Sequence, residues 1–329
     1  MTSTKKKVIS FIVTGAGLFI LFLVAVNTGS LKVSPSQLFS GLFIEYDPDI
    51  ATIYDLRFPR IFIAMIGGAA TAVAGVLLQA VMKNPLADPG IIGVSSGASL
   101  TAVLITAFLP QLFFFTPLFA FLGGMAAFLL VYSLSWKEGL SPLRIILVGV
   151  AVNAMFTGLM SAFNSGTGNN FSGVASIVNA NITMKTWSDF RTLVIYASIG
   201  LVASLFVTGI CNILALEDKT AQSLGVHVNR SRMIISIVAV LLASISTAVI
   251  GPISFLGLIV PHIARLLVGS NHKVLIPYTM ILGAFILLLA DTVGRTIAAP
   301  NEISASVIMA VIGGPFFIFL LRGTKHGYR

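Results

Sequence analysis

Few side chains in this chain can do chemistry. Within its apolar stretches the polar residues are Gln79, Asn153, Asn164, His262, Arg265, Asp291 and Arg295. Ion-coupled carriers line their pathways with ionisable relays inside the membrane, and no ladder of carboxylates is present here. Asp291 and Arg295 stand four residues apart, so on a helix they share a face and can pair. His262 and Arg265 are three apart. A lone histidine can ligate haem or a metal, but a histidine satisfied by its neighbours is the commoner outcome. The chain carries neither the G-x-x-x-x-G-K-[S/T] phosphate loop nor H-E-x-x-H or a Cys/His metal cluster. Its one cysteine, Cys211, permits no disulfide framework and reads as a packing residue. No residue is nominated as catalytic or metal-ligating, and uphill transport by such a chain needs a partner that supplies energy.

The elements around these residues are apolar runs. Of 329 residues 57% are hydrophobic and only 9% charged, against about 25% charged in an average soluble domain. Ten runs stand out, roughly 8–28, 59–82, 91–108, 112–134, 142–164, 190–212, 229–250, 254–269, 274–297 and 303–322. A segment inside hydrocarbon must satisfy its own backbone hydrogen bonds, so each run is expected to be a helix. The fold class is all-α and polytopic, with ten transmembrane helices in a single domain, 1–329. The first run is too long for a signal-peptide core and lacks a small-x-small cleavage site, so it reads as a retained helix. The eighth run reaches only about 24 Å of the ~30 Å hydrocarbon core. Gly251, Pro252, Gly257 and Pro261 also interrupt it, and such a segment belongs inside the bundle. Runs two to five start at 59, 91, 112 and 142, and runs seven to ten at 229, 254, 274 and 303. The similar intervals, entered from opposite sides, predict an inverted repeat.

Charge sets the orientation. Lys5, Lys6 and Lys7 precede the first run and are expected in the cytoplasm. Alternation then places both termini inside, together with Lys83, Lys137, Arg144, Lys219, Arg230, Arg232, Arg265, Lys273, Arg322, Lys325 and Arg329. Only Lys32, Arg57, Arg60, Lys185, Arg191 and Arg295 fall outside, where Glu45, Asp47, Asp49, Asp55, Asp189 and Glu302 also lie. The net charge of +9 is therefore a topology signal. No basic stripe interleaved with aromatics argues for nucleic acid.

Small residues crowd the second and third runs: Gly67, Gly68, Ala69, Ala70, Thr71, Ala72, Ala74 and Gly75, then Gly93 and Gly97 with Ser95, Ser96 and Ala98. They let helix backbones approach closely in lipid. Such faces pack, or they slide and line a pathway. The longest inner polar gap, residues 213–230, reads as a short amphipathic helix. Glu217 and Asp218 suit its N-terminus, Ala221 and Leu224 share a face, and Gly225 stands at its C-terminal cap. Asn229 would cap the next helix. A solvated connector or a docking helix for a cytoplasmic partner would both fit this gap.

A set of segments, in order along nearly the whole chain, resembles the membrane permease of the iron-siderophore, haem and cobalamin ABC importers, a type II importer family. They are Asp55-Leu-Arg-Phe-Pro-Arg60, Gly75-Val-Leu-Leu-Gln79, Asn84-Pro-Leu-Ala-Asp-Pro-Gly90 running into Gly93-Val-Ser-Ser-Gly97, and Leu224-Gly-Val226. Gly251-Pro-Ile-Ser-Phe-Leu-Gly257, Val260-Pro-His-Ile-Ala-Arg265, Ala290-Asp-Thr-Val-Gly-Arg295 and Gly313-Gly-Pro315 complete it. The resemblance implies ten transmembrane helices, a second permease copy in a homodimer or heterodimer, a cytoplasmic ABC ATPase dimer, and an extracytoplasmic substrate-binding lipoprotein. It places the chain in the plasma membrane of a bacterium. ATP and Mg belong to the partner ATPase, and this chain binds no cofactor of its own.

The resemblance also assigns residues. Arg57, Arg60 and Arg295 look like the exposed arginines that dock carboxylates of the binding protein; the alternative for Arg57 and Arg60 is interfacial snorkelling. Leu216, Glu217, Ala221, Leu224, Gly225 and Val226 match the coupling helix, about 214–226, that sits in a groove of the ATPase. Asn84, Leu86, Ser141 and Pro142 match the cytoplasmic gate, although Pro142 stands where a small hydroxyl residue is expected. Five stretches look closest to haem-uptake permeases of Gram-positive bacteria. They are Asp55–Arg60, Asn84–Asp88, Ile91–Gly97, Pro110-Gln-Leu-Phe-Phe114 and Thr183-Met-Lys-Thr-Trp-Ser-Asp189. Haem is the leading substrate, ahead of a ferric siderophore and cobalamin. An ion-coupled secondary transporter is the competing class, and it would need the relay that is missing.

Overall fold

The computed structural model describes residues 4–28, 33–44, 46–135, 142–166 and 172–323. Ser141 and the topology markers Lys32, Glu45, Lys137, Lys325 and Arg329 lie outside them. All regular elements among the described residues are helical: α1 (Thr4–Asn27), α2 (Pro35–Phe43), α3 (Pro48–Leu56), α4 (Phe58–Met82), α5 (Val94–Phe108), a 3-10 turn (Pro110–Phe115), α6 (Thr116–Ser135), α7 (Pro142–Gly166) and α8 (Ser172–Val178). They continue with α9 (Trp187–Phe206), α10 (Thr208–Leu214), α11 (Asp218–Ser223), α12 (Val228–Ile250), α13 (Leu256–Val268), α14 (His272–Ile297) and α15 (Ala305–Gly323).

Every apolar run carries a helix. Among the described residues seven helical stretches are long and apolar enough to cross a membrane, and α5, α13 and α15 are apolar but shorter. The sixth run breaks at Val207 (φ −88°, ψ −1°) into α9 and α10. Three short helices were not foreseen, and two of them carry plain start signals. Ser34 caps α2 in a reciprocal capping box with Gln37, and Asp47 caps α3 by accepting from the Asp49 amide at 2.9 Å. Each is followed by a proline at the first helical position, whose missing N–H would have had no partner there.

α4 is the hub of the bundle, buried along most of its length against α9, α12, α13 and α14. The small residues make this possible. Gly68 on α4 and Gly283 on α14 touch so closely that a Cβ on either would strike the other's carbonyl oxygen. A Cβ on Gly75 would likewise strike the backbone of Gly257 on α13. Thr71 and Ser246 exchange a hydroxyl bond at 2.8 Å, and Ser246 donates to the Gly67 carbonyl at 3.0 Å. These faces are therefore packing faces, fastened by dispersion and by hydroxyl groups that bond across the helices. The interrupted eighth run is the short helix α13, buried from Leu256 to Pro261 against α4 and α14. It starts after Phe255, which holds a left-handed φ of +64°, as α5 starts after Gly93 at φ +86°. Cys211 is buried, a packing residue as expected.

Candidate functional site

One end of the bundle gathers the arginines. α1 ends there, and its last carbonyls face outward with no helical partner. Arg57 Nη1 donates to Val26 O at 2.6 Å, and Arg295 Nη2 approaches Ala25 O at 3.5 Å. Cations at a helix C-terminus are favoured by both the hydrogen bond and the dipole. Between the arginines lies Asp291, 1% exposed. Arg60 Nε reaches both of its oxygens at 3.1 Å and Nη2 reaches Oδ1 at 2.8 Å. Arg295 Nε lies 3.3 Å from Oδ2 on the same helix, the pairing expected from the i, i+4 spacing. The remaining Arg60 nitrogen, Nη1, donates to Glu302 at 2.8 Å. Glu302 also accepts from the Thr183 hydroxyl at 2.7 Å. Burial alone would raise the Glu302 pKa, but the Thr183 hydroxyl and Arg60 guanidinium outweigh it and hold the carboxyl below its ordinary range.

An exposed arginine cluster was expected, and the structure corrects the exposure. Arg60 and Arg295 are 5% and 9% exposed in this chain, and Arg57 is half-buried. Two guanidinium groups can be buried because Asp291 lies between them as a shared counter-charge and accepts three hydrogen bonds from Arg60. The sequence reading missed Glu302 and Thr183 as partners. Thr183 and Arg60 lie far apart in the chain and no periodicity links them.

The opposite end carries α11. It is six residues long, and its C-terminus is a Schellman motif: Val226 N donates to Ala221 O at 3.2 Å and Gly225 N to Gln222 O at 2.9 Å. Gly225 holds φ +81°, which glycine adopts without a Cβ clash. Ala221 is fully buried, whereas Leu224 is 59% exposed, so the two do not share a buried face. Leu216 lies before the helix and Glu217 is its N-cap residue without a side-chain cap. α12 begins after His227, not after Asn229, so Asn229 lies inside the first turn and caps nothing.

The turn after α4 meets this helix. Asn84 is buried and its Oδ1 accepts from Leu86 N at 2.9 Å, closing the Asn84–Leu86 turn. Lys83, in a left-handed C-cap conformation at φ +49°, sends its ammonium to the Leu216 carbonyl and to Asp218 at 2.8 Å. Arg232 on α12 reaches the same Asp218 oxygen at 3.0 Å. The Lys83 hydrogen bond, with Arg232 beside it, holds the Asp218 carboxyl below its ordinary range. Gln79 Nε2 donates to Ala87 O and to Gly257 O, both at 3.2 Å, so the turn is also tied to α13. Asp88 completes it: Oδ1 accepts from Gly90 N at 2.8 Å and Ile91 N at 3.3 Å, while burial lifts its pKa to about 6. Pro142 is the first residue of α7.

His262 stacks edge-on against Phe316 at 5.7 Å, and among the described residues no three His, Cys, Asp or Glu side chains gather as a metal site. The expectation that the chain holds no G-x-S-x-G nucleophile elbow is corrected in its spacing, which Gly93-Val94-Ser95-Ser96-Gly97 has. Ser95 is 4% exposed inside the first turn of α5, and among the described residues no histidine bonds to it. Together the groups at the two ends hold helices in register, and among the described residues they do not form a catalytic constellation.

Comparison with known proteins places this geometry. The chain is 41% identical over 294 residues, 89% of each chain, to the protein named "Probable heme-iron transport system permease protein IsdF" of Staphylococcus aureus strain Newman. Its fold matches the solved structure titled "An inward-facing conformation of a putative metal-chelate type ABC transporter", with a TM-score of 0.77, 27% identity, and coverage of 96% of this chain and 99% of that one. A second solved structure, PsaBC from Streptococcus pneumoniae in complex with Fab, shares the fold at a TM-score of 0.57 and 16% identity over 87% of this chain and 95% of that one. Residues 17–323 match the model of the FecCD transport family, and the chain belongs to that family.

Proposed function

We propose that this chain is the permease subunit of an ATP-driven ABC importer that moves haem across the bacterial plasma membrane. The observation that carries this reading is the 41% identity, over 89% of both chains, to a permease named for heme-iron transport. The protein is a transport permease and not an enzyme. Haem is cargo, and ATP with Mg acts on a separate ATPase.

The finer reading follows from the two ends. The chain forms one permease domain, 1–329, with ten crossings, the short helices α5, α13 and α15 lying in crossings of their own. Helices α4 to α7 and α12 to α15 form the inverted repeat. The left-handed caps Gly93 and Phe255, each opening the short second helix of its set, support that pairing. Both termini face the cytoplasm, as Lys5, Lys6 and Lys7 in the first turn of α1 favour. Arg57, Arg60 and Arg295 then lie outside and receive acidic side chains of the binding lipoprotein. Such charges supply register and steering more than affinity. Leu216, Glu217, Ala221, Leu224, Gly225 and Val226 lie inside and dock on the ABC ATPase dimer. The turn at Asn84 and Leu86, with Ser141 and Pro142, gates the inner side. A second permease copy completes the membrane part.

The test is uptake of haem into proteoliposomes holding this chain with its ATPase, with haem-loaded binding protein supplied outside. ATP-dependent accumulation is expected. Accumulation driven by an ion gradient without ATP would instead establish a secondary transporter.

A further inference from the structure

At the arginine end lies a cavity of about 530 Å³ that none of the roles above uses. It opens between α5, α6, α8, α9 and α12, in the size range of sites for small organic ligands. Its lining is more apolar than polar, and its ionisable residues are Lys185 and Asp189. Asn179 and Asn181 supply amides, and Thr116 is 5% exposed with an Oγ1 that has no hydrogen-bond partner. A buried hydroxyl without a partner costs free energy unless something fills the place.

The cation of the cavity is Lys185. Its side chain is 11% exposed, yet its ion pair with Asp189 is long at 3.5 Å. Charge-assisted hydrogen bonds of this kind settle near about 2.8 Å. Asp189 is committed elsewhere: its Oδ2 accepts from the Thr186 amide at 2.9 Å and the Thr186 hydroxyl at 2.8 Å, capping α9. The lysine is thus a nearly buried ammonium whose neutralising partner is shared, at the wall of an open cavity. An anionic oxygen fits it. Next to it in the chain, at the rim of the same cavity, stands Met184, a methionine 87% exposed. A thioether is a soft donor suited to haem iron.

We infer that this cavity is a reception site within the single permease for an iron porphyrin bearing carboxylates. Lys185 and the Thr116 hydroxyl take a propionate, and Met184 approaches the iron. The Met184 sulfur donates a lone pair to the iron at an axial position that water occupies, the Fe–O bond to that water breaks and the water leaves, with no change of oxidation state. The inference rests on the haem reading and adds to it a place and a set of contacts.

The experiment is titration of hemin into nanodiscs holding the full chain, with empty nanodiscs subtracted, followed in the Soret region and in the near-infrared band of thioether-ligated ferric haem. Fe(III) protoporphyrin dimethyl ester, which lacks carboxylates, and a neutral ferric trihydroxamate serve as comparison ligands. Met184→Leu is expected to abolish the thioether band, and Lys185→Gln to weaken hemin by about tenfold, the scale of one lost charge-assisted hydrogen bond, while leaving the dimethyl ester unchanged. Lys185→Arg, which keeps the charge, should restore hemin binding and guard against a folding defect. Unchanged hemin affinity and spectrum in both Met184→Leu and Lys185→Gln would overturn the site, as would tighter binding of the trihydroxamate than of hemin. Haem-dependent ATP hydrolysis by the assembled wild-type transporter is measured in parallel. If it persists while the variants bind as wild type does, only the site is wrong; if it is absent, the haem reading itself fails.

Discussion

The Lys83 ammonium and the Asp218 carboxylate meet at 2.8 Å although 135 residues separate them. The pair joins the turn that follows the central helix α4 to the short helix α11, and Arg232 fastens the same carboxylate to α12. The part expected to touch an ATPase is thereby connected to the part expected to gate the inner side. Removing the link should cost little stability, because both side chains are partly solvated. Asp218→Asn is expected to leave the melting temperature nearly unchanged while ATP hydrolysis loses its response to the binding protein. The measurement is ATPase activity with and without loaded binding protein. An unaltered response would show that the link carries no signal. The carboxyl is held below its ordinary range, so its attraction is present above that range and is lost as pH falls through the lowered value.

Ala221 and Gly225 define the shape of α11. Ala221 is fully buried, and Gly225 holds φ +81° with open space where its Cβ would be. Gly225→Ala therefore strains the backbone without a clash and should cost about 1 kcal/mol locally. Ala221→Trp must displace neighbours. Both are expected to separate ATP hydrolysis from uptake, with Ala221→Trp the more severe. Retention of coupled uptake in both, read in proteoliposomes, would remove this helix from the ATPase interface.

At the other end, Asp291→Asn leaves two buried guanidinium groups without their shared carboxylate. The expected loss is about 3 to 5 kcal/mol of stability, as for other broken buried pairs, visible as a sharply lower melting temperature in detergent. Glu302 is different, because its side chain is 37% exposed and it occupies an Arg60 nitrogen that an incoming acidic side chain would need. Glu302→Gln should tighten association of the binding protein at low salt, and Arg57→Glu should weaken it. Surface-immobilised nanodiscs with binding protein in solution give both affinities. Equal affinities for both variants and wild type would remove this cluster from the docking surface.

How much was legible beforehand differs between the helices and their contacts. The ten apolar runs each carry a helix because hydrophobic length is a local property of the chain. The C-terminal glycine of α11 and the Asp291–Arg295 pair were legible for the same reason, each depending on residues a few positions apart. The bond from Arg60 to Asp291 spans 231 residues and the one from Lys83 to Asp218 spans 135, and no periodicity reports such pairings. The same gap explains why Arg60 was expected on the surface. The caps of α2 and α3, Ser34 and Asp47, were visible as residue types, but both helices are too short to show as apolar runs.

Asp88 offers a pH test of the turn after α4. Its carboxyl is buried and its pKa is raised to about 6, above the ordinary 3.8. The folded chain thus holds the proton more tightly than the unfolded one. Stability from this group falls as pH rises between those values and is level above pH 6. Asp88→Asn keeps an acceptor for the Gly90 and Ile91 amides and removes the charge. It should flatten this part of the profile and leave the variant more stable than wild type at pH 7. The check is thermal unfolding of both proteins in detergent from pH 4 to pH 7. Parallel profiles would mean that the carboxyl is not held at this pKa.

The most direct test of the central claim is ATP hydrolysis by this chain in lipid nanodiscs with its ATPase, compared across haem-loaded, ferric-siderophore-loaded and empty binding protein. Stimulation by the haem-loaded form alone is the predicted result. Stimulation by the siderophore-loaded form, with none by haem, would contradict it.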